Sequence, residues 1–340
     1  MTAFGGKAIG EWGVGWAAWA ASFLRHNKCG QQRARGDSVT AKRLLLIDGF
    51  NVLFRSFHAL PPLTTSDGRP SGAIYGFCQT LMRLTNDVNP SHIICAGDRP
   101  EPSFRHQTDP DYKAHRPATP YELVPQLQAW PDVLAGLQIA MLSAVGYEAD
   151  DVLATCARRA EADRFARVVI VSSDRDLLQI VSPTTSLYLP GKTFSDFVVA
   201  DEEYVATRYE GLCPDQMVDY KVLVGDPSDN LPGVNGIGPK TAGKLLTQWQ
   251  TLDAVVDNID KLDARLRERL RELADDLPRR RAMVRLRTDV PVRFKWDEVV
   301  WRGLATASVR QLFATWNFNS LLKRVGEQSS QPTMFSLFDS

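Results

Sequence analysis

The sequence lacks several signatures that define whole classes of protein. Its five cysteines form no CxxC pair, which argues against a disulfide framework or a cysteine zinc site and indicates reduced thiols. Its five histidines include no HExxH motif, which argues against a histidine-bound zinc hydrolase. The apolar stretch at residues 14–24 is too short to span a bilayer. These absences favour a cytoplasmic protein with no membrane partner.

The chain also lacks a net charge, because 40 basic residues balance 40 acidic ones. A nucleic-acid-binding protein often carries a basic excess, but acids gathered in a metal site would offset bases spread over a binding face. With 340 residues, 44% of them hydrophobic, the chain can bury one large core or two smaller ones. A net charge of zero therefore does not exclude nucleic-acid binding, and the positions of the acids must be considered.

Short apolar runs dominate the first half of the chain after residue 42. The runs at 43–47, 92–97 and 167–172 each end close to an aspartate. Helical patterns separate these runs, at about 72–87, 121–142 and 148–160. Such alternation predicts an α/β fold with a mostly parallel sheet flanked by helices. Reactive groups gather at the carboxyl ends of parallel strands, so the acids there are the first candidates for a site.

The rest of the chain divides by composition. The N-terminal segment is rich in Gly, Ala and Trp and then turns polar, which favours a disordered extension over a signal-like segment or a short amphipathic helix. Residues 99–120 are rich in proline and charge, and from about residue 200 the strand pattern fades. We therefore predict four parts: a disordered extension at 1–42, an α/β domain at 43–200 with a flexible arch at 99–120, a helical subdomain at 201–325, and a flexible tail at 326–340.

Acidic residues cluster at the predicted strand ends and helix starts. If the fold brings them together, so many like charges require cations, and Mg²⁺ prefers oxygen ligands. Two such ions about 4 Å apart can activate a water and hold both oxygens of an in-line phosphate displacement. The alternative for each acid alone is helix capping or solvated surface charge. The candidate metal ligands are Asp48, Asp98, Glu148, Asp150, Asp151, Asp174, Asp176, Asp226 and Asp229.

The segment at 99–120 offers basic and aromatic groups beside these acids. A phosphodiester-cleaving enzyme needs cations for the charge that develops on the scissile phosphate and aromatic rings for unstacked bases. The candidates are Arg105, Tyr112, Lys113 and Arg116. The alternative is an ordinary charged surface loop.

A glycine-rich turn follows the last acids and precedes a helix that begins at Pro239. Glycines allow close approach of the backbone to a ligand, and the helix N-terminus offers N–H groups to phosphate. The alternative is a tight connection between two helices. The candidate phosphate-binding residues here are Gly233, Gly236, Gly238, Lys240, Thr241 and Lys244.

Taken together, these motifs resemble the 5′-nuclease family, which includes the 5′–3′ exonuclease domain of bacterial DNA polymerase I and the flap endonucleases. The resemblance covers residues 43–325 and implies a PIN-like α/β domain with a helix–hairpin–helix-type DNA-binding subdomain. The motifs that carry it are LLLIDGFNVLFRSFHALP, GRPSGAIYGF, SFRHQTDPDYKAHRP, GYEADDVLAT, IVSSDRDLLQIV, GDPSDNLPGVNGIGPKTAGKLL and LFATWNFNSLLKRV.

The resemblance also implies a function and assigns roles. It implies hydrolysis of DNA at 5′ ends and 5′ flaps in primer removal or repair, with RNA–DNA primers as further substrates. It places Lys113 and Arg116 at the scissile phosphate, Tyr112 against a base, and a K⁺ ion at the loop 233–241. It divides the acids between two Mg²⁺ or Mn²⁺ ions: Asp48, Asp98, Glu148, Asp150 and Asp151 around the first, and Asp174, Asp176, Asp226 and Asp229 around the second.

Two other functions stay open. The first is a structure-specific flap-DNA-binding protein with weak or no catalysis, although all four acids of the second set are present. The second is a PIN-type ribonuclease, which would need neither the glycine turn nor the helical subdomain. We also expect a monomer. The tail at 331–340 resembles the short peptides that dock on a sliding clamp, with a tail that packs on its own domain or has no role as the alternative.

Overall fold

The computed structural model describes residues 41–191 and 196–330. These residues belong to the compact unit that begins at Ala41. Almost all of the predicted extension at 1–42, and the predicted clamp-binding tail at 331–340, lie outside the described residues. Among the described helices, none has the length and apolar character needed to cross a membrane.

In the described ranges, six strands form one sheet in the order β3-β2-β1-β4-β5-β6. Neighbouring strands are parallel except for β5 and β6, which are antiparallel. A separate two-stranded ribbon pairs β7 with β8. The mostly parallel sheet that the sequence predicts is therefore confirmed. The strands are β1 Arg43–Asp48, β2 His92–Ala96, β3 Ala140–Leu142, β4 Arg167–Val171, β5 Thr185–Pro190, β6 Phe197–Ala200, β7 Gly225–Asp226 and β8 Leu231–Pro232.

Helices cover both faces of the sheet. Leu45 and Ile47 of β1 pack into one hydrophobic cluster, and the alternate residues Leu44 and Leu46 pack into another. Burial on both faces explains why the central strands are unbroken apolar runs. The helices are α1 Gly49–Ala59, α2 Gly72–Val88, α3 Phe104–Thr108, α4 Val124–Gln128, α5 Trp130–Gly136, α6 Ala149–Ala162, α7 Glu202–Arg208, α8 Met217–Val224, α9 Pro239–Trp249, α10 Leu252–Asp257, α11 Ala264–Ala274, α12 Leu277–Val284, α13 Ala307–Thr315 and α14 Asn319–Ser330.

A third hydrophobic cluster lies within the helical part of the chain. It joins residues from Leu212 to Val284, which include Ile237 beside α9 and Leu270 of α11. The last two helices pack elsewhere, because Phe313 of α13 and Leu321 of α14 share the cluster of Leu45 on the sheet. The helical subdomain that we predict at 201–325 therefore has its own core only over about 212–284.

The segment predicted as one helix at 121–142 has a different structure. It contains α4, α5 and then β3. Pro125 and Pro131 each lie in the first turn of a new helix, where a missing N–H costs nothing. Gln138 then takes a left-handed backbone with φ of 58°, which ends helical geometry before the strand. The apolar residues of this segment fit both a helical and a strand period, so periodicity alone predicted the wrong secondary structure.

Candidate metal centre

Three aspartates lie where neighbouring parallel strands end. Asp48 is the last residue of β1 and pairs with Ala96, two residues before Asp98. Asp174 follows β4, the strand on the other side of β1. The Ser172 hydroxyl donates to Asp48 Oδ2 at 2.7 Å and fixes its rotamer. The three carboxylates therefore share the carboxyl edge of the sheet, where α/β proteins bind their ligands.

The start of α6 brings further acids to the same edge. Glu148 precedes the helix, and Asp150 and Asp151 lie in its first turn. The Ala149 N–H donates to Asp98 Oδ1 at 2.8 Å, so the helix start is attached to the strand end. Acids at a helix N-terminus also interact favourably with the helix dipole. The sequence motif EADD therefore delivers acids to the sheet edge through local helix geometry.

A tighter group joins three acids from two distant parts of the chain. Within the described ranges, Asp176, Asp226 and Asp229 are the three acids that each offer an oxygen within 4.8 Å of the other two. Asp174 Oδ1 accepts from the Asp176 N–H at 2.8 Å, and this turn carries Asp176 inward. Asp226 Oδ1 accepts from the Ser228 N–H at 2.8 Å in the same way. Two short aspartate-capped turns thus present three carboxylates to one point.

The donor set of this group suits a hard divalent cation. All three ligands are carboxylate oxygens, and no nitrogen or sulfur ligand is needed to complete a site that keeps several waters, as Mg²⁺ does. A cavity of about 580 Å³ opens beside the group and is lined by Asp174, Asp176 and Asp226. This opening leaves room for a phosphate next to the three carboxylates.

Burial makes four of the other acids reluctant to ionise without a cation. Burial and the nearby Asp98 raise the pKa of Asp48 to about 7. Burial, with repulsion from Asp174 and Asp48, raises the pKa of Asp150 well above its usual range. Burial also raises the pKa of Asp98 and of Asp174. Carboxyls with raised pKa values at one sheet edge are typical of a site that divalent ions complete.

The pKa of Asp226 is lowered rather than raised, because the Lys221 ammonium lies against its carboxylate. Burial raises the pKa of Asp226, but hydrogen bonds from Lys221 and Ser228 outweigh this effect and lower the pKa overall. The Lys221 ammonium lies 2.6 Å from Asp226 Oδ2 and also contacts Asp176. Sequence reasoning missed Lys221. Its position five residues before Asp226, on the helix that leads into GDPSDN, was the available signal.

Two basic residues of the arch segment, residues 99–120, lie directly on the acids. Lys113 Nζ is 3.2 Å from Glu148 Oε2 and 3.8 Å from Asp229 Oδ2. Arg116 Nη2 is 3.0 Å from Asp229 Oδ1, and its side chain is 54% exposed. The Lys113 N–H also donates to the Asp229 carbonyl at 3.1 Å. Both cations therefore face the space beside the three-carboxylate group.

Arg105 is not a surface residue, so its predicted role in DNA binding is wrong. Its side chain is 2% exposed. Its guanidinium donates to both oxygens of Asp151 at 2.7 and 2.8 Å and to the carbonyls of Met283 and Arg285. The many charges and prolines of the arch segment predicted an exposed loop. The sequence did not reveal the burial of Arg105, because its partners lie far away in the sequence.

The same contacts assign Asp151 a structural role. Besides Arg105, its oxygens accept from the backbone N–H groups of Arg287 and Glu148, and the residue is fully buried. No oxygen of Asp151 is left to face an ion, so we withdraw it as a metal ligand. Asp151 instead anchors the start of α6, which positions Glu148 and Asp150.

Tyr112 is also buried, which contradicts its predicted role as a platform for a base. It is 3% exposed, and its hydroxyl lies 3.0 Å from Glu148 Oε2 and 3.1 Å from Asp229 Oδ2. Burial and these two carboxylates raise the pKa of Tyr112, so the phenol stays neutral and donates. Tyr112 therefore joins the arch segment to the acids rather than to a base.

The predicted hairpin loop, residues 233–241, lies after the ribbon of β7 and β8 and ends in the first turn of α9. Gly233 is required by the fold itself, since a Cβ there would collide with the Val224 backbone. Gly236 has a φ of 72°, and Gly238 faces open space. Lys240 and Lys244 are exposed four residues apart on α9, while Thr241 is partly buried. The loop thus presents backbone and two lysines on one side.

We predict that the metal-free protein loses stability as pH rises. The folded-state pKa of Asp48, about 7, lies above the ordinary value of 3.8, so its contribution is present below that ordinary value and is lost as pH rises through about 7. The free energy of unfolding in EDTA should fall by about 2–3 kcal/mol between about pH 5 and pH 8, which is about 1.4 kcal/mol for each pH unit up to about 7. Urea unfolding of wild type and Asp48→Asn measures this, and asparagine still caps α1. An equally large fall in the variant would contradict the assignment.

Loss of the buried Arg105 guanidinium should lower the free energy of unfolding more than this change of pH does. Arg105→Ala leaves Asp151 charged, buried and without its ion-pair partner, so we expect a loss of about 3–5 kcal/mol in the free energy of unfolding. Urea unfolding measures the loss, with Arg99→Ala as the control, because Arg99 pairs with Glu101 at the surface. Similar stability of the two variants would show that the buried network is not structural.

The fold and the site combine three features: acids at the carboxyl edge of a mostly parallel sheet, cations beside them, and a helical unit with a glycine loop. Two family models match the chain. They are the 5′-3′ exonuclease N-terminal resolvase-like domain, over residues 43–210, and the 5′-3′ exonuclease C-terminal SAM fold, over residues 212–307. The chain therefore belongs to the 5′–3′ exonuclease family.

Known relatives agree with this membership. DNA polymerase I of Bacillus subtilis (strain 168) is 36% identical over 291 residues, which are 85% of this chain and 33% of the relative. The thermostable DNA polymerase I of Thermus aquaticus is 38% identical over 284 residues, which are 84% of this chain and 33% of the relative. The chain thus spans about a third of the length of these relatives.

Solved structures share the fold at lower identity. The T5 D15 protein co-crystallised with metal ions has a TM-score of 0.59 at 18% identity, covering 84% of this chain and 99% of that one. The catalytic core of Rad2 in complex with DNA substrate has a TM-score of 0.57 at 17% identity, covering 89% of this chain and 99% of that one. At these identities the likeness establishes the fold.

Proposed function

We propose that this chain is a divalent-metal-dependent 5′–3′ exonuclease and 5′-flap endonuclease that hydrolyses DNA phosphodiesters in primer removal or repair. The observation that carries the proposal is the group of Asp176, Asp226 and Asp229, whose oxygens lie within 4.8 Å of one another beside an open cavity. Family membership supplies the reaction class. The convergence of these acids supports the residues that we assign to it.

The ions of this reaction, when bound, activate the attacking water and neutralise charge on the scissile phosphate. Asp176, Asp226 and Asp229 would hold one ion, and Asp48, Asp98, Glu148 and Asp150, with Asp174 between the two sets, would surround the other. Oxygen-only ligands favour Mg²⁺, with Mn²⁺ as the substitute. The K⁺ ion at the hairpin loop stays a prediction.

The cations of the chain itself would bind and orient the substrate. Arg116 reaches into the cavity, and Lys113 lies between Glu148 and Asp229. From these positions both side chains can donate to the non-bridging oxygens of a phosphate held at the acids. Lys221 favours the charged form of Asp226 by hydrogen bonding to it, and its ammonium also contacts Asp176.

The hairpin loop would bind the duplex part of the substrate away from the cut. Lys240 and Lys244 are exposed, and contacts to phosphate from a loop and a helix N-terminus carry no sequence information. The solved structures of T5 D15 and of Rad2 include complexes with DNA, which supports DNA as the partner here. RNA–DNA primers, a monomeric state and clamp binding by the tail stay predictions.

We divide the described chain into an α/β catalytic domain and a helical DNA-binding subdomain with its own core at about 212–284. The cytoplasm suits this chain, because its described cysteines are free and three of them, Cys78, Cys95 and Cys156, are buried thiols.

A flap-binding protein without efficient catalysis is the competing proposal. Such a protein would not need three carboxylates converging on one point, and their convergence favours the enzyme. A PIN-type ribonuclease would not need the hairpin loop and its helical unit.

Cleavage assays on matched substrates test the proposal. We expect 5′-labelled flap, nicked and gapped DNA to be cut in Mg²⁺ and left intact in EDTA, with the flap cut near its junction. An RNA–DNA primer substrate tests the predicted substrate range. Tight flap binding without cleavage in Mg²⁺ or Mn²⁺ would establish the binding protein instead, and cleavage of single-stranded RNA alone would establish the ribonuclease.

A further inference from the structure

The helix α11 contains four arginines, and one of them differs from its neighbours in its contacts. Arg267 and Arg271 both lie near Asp260, at 3.9 and 3.4 Å. Arg269, between them, has no carboxylate within 4.0 Å in the part of the chain that the structure describes. It is only partly exposed. Its guanidinium is therefore available to an anionic ligand, because no carboxylate of the described residues pairs with it.

The location of this guanidinium points to the ligand. It lies over Gly236, at the tip of the hairpin loop, so closely that a Cβ on Gly236 would collide with it. Gly236 also has a φ of 72°, so glycine serves both the turn and the approach of the arginine. Arg269 is therefore a cation built into the surface of the loop that we propose binds duplex phosphate.

The packing beneath Arg269 holds it in place. Ile237 of the loop and Leu270 of α11 belong to one buried cluster, with Leu266 packed against it. This contact fixes the helix against the loop, so the guanidinium does not have to be brought there when a ligand binds. A cavity of about 380 Å³ opens on the loop from Gly233 to Gly238.

We propose that Arg269 completes the duplex-binding site of the hairpin loop and binds a backbone phosphate together with Lys240 and Lys244. A planar guanidinium donates two parallel hydrogen bonds to a phosphate, which suits a strongly anionic ligand better than a neutral one. The site then has two walls, the loop with α9 on one side and α11 on the other. This inference rests on the proposed role of the hairpin loop in DNA binding.

The test is duplex binding in EDTA, because neither cleavage nor bound divalent ions then affect the measured affinity. Fluorescence anisotropy of a short blunt duplex is measured over a series of KCl concentrations. We expect Arg269→Ala to weaken binding about tenfold and to lower the slope of log K against log salt by about 0.9, the loss of one phosphate contact. Arg269→Lys should retain most of the affinity. Circular dichroism and thermal unfolding confirm that each variant is folded.

Two reference variants separate the possible failures. Arg271→Ala removes the same charge from the same helix at a residue paired with Asp260, and it should change binding less than about twofold. Lys240→Ala reports on the hairpin loop itself. If Lys240→Ala weakens binding and Arg269→Ala does not, the inference is wrong and the role of the loop stands. If neither variant weakens binding, the role of the loop fails and the inference fails with it. An equal loss with Arg271→Ala would mean general charge attraction and would also overturn it.

Discussion

Asp176→Asn should reduce the rate of Mg²⁺-dependent flap cleavage by about a thousandfold, because one of three converging carboxylates no longer carries charge. Asparagine keeps the size of the side chain and one oxygen, so the loss reflects charge rather than packing. Asp176 also contacts Lys221, which would then keep only Asp226 as a carboxylate partner. Single-turnover cleavage of a 5′-labelled flap measures the rate.

Flap binding in EDTA and the Asp289→Asn variant serve as controls. Asp289 pairs with Arg287 at the surface, so its loss should leave cleavage unchanged. Binding of the flap without metal should be equal or tighter in Asp176→Asn, since a negative charge near the scissile phosphate is gone. A loss of rate below about tenfold would remove Asp176 from the metal site, because loss of a charged ligand costs several kcal/mol.

Lys113→Ala should slow cleavage of the bound substrate about a hundredfold, with little effect on duplex binding. Its side chain is 13% exposed and its ammonium lies 3.2 Å from Glu148 Oε2, so it meets the substrate only where the phosphate reaches the acids. A cation in that position stabilises charge that develops during the reaction rather than the ground state. Single-turnover rates at saturating enzyme separate this effect from binding.

The matched control is Lys244→Ala, which removes the same charge from the exposed face of α9. It should show the opposite pattern, with weaker binding and an almost unchanged rate at saturation. Equal effects of the two variants on binding, without a loss of rate for Lys113→Ala, would show that Lys113 only attracts DNA. In that case Arg116 would be the remaining arch cation at the acids.

The strand ends and their acids were predictable because they follow from local rules. An apolar run that ends in an aspartate, as at Asp48, places the side chain at the carboxyl edge whatever the rest of the chain does. The start of α9 at Pro239 also follows from local chemistry. By contrast, β5 and β6 were missed. The apolar run of β5, Leu187 to Leu189, is only three residues long, although all three residues are buried.

Long-range partners explain the errors. Arg105 and Tyr112 lie in a charged, proline-rich segment that resembles a surface loop, yet both are buried. Arg105 contacts Met283 and Tyr112 contacts Asp229, and each partner lies more than a hundred positions away in the sequence. Arg269 was not singled out for the same reason. Its significance depends on Gly236, and nothing in the spacing of the two residues reveals that contact.

The segment GDPSDNLPGVNGIGPKTAGKLL, residues 225–246, connects the two halves of the proposed site. Asp226 and Asp229 belong to the carboxylate group, and Gly236 and Lys240 belong to the hairpin loop. The Asn230 side chain donates to the Asp111 carbonyl of the arch segment at 2.9 Å, so the acids, the loop and the arch segment are joined at one place. A fixed distance between the duplex-binding loop and the acids would set where the strand is cut.

Anomalous diffraction from crystals soaked in Mn²⁺ tests the central claim most directly. The account predicts a peak between the carboxylates of Asp176, Asp226 and Asp229, with the Lys221 ammonium withdrawn from Asp176, and loss of that peak in Asp176→Asn. Absence of a peak at this group in the wild-type protein, or Mn²⁺ bound only at acids elsewhere on the surface, would contradict it.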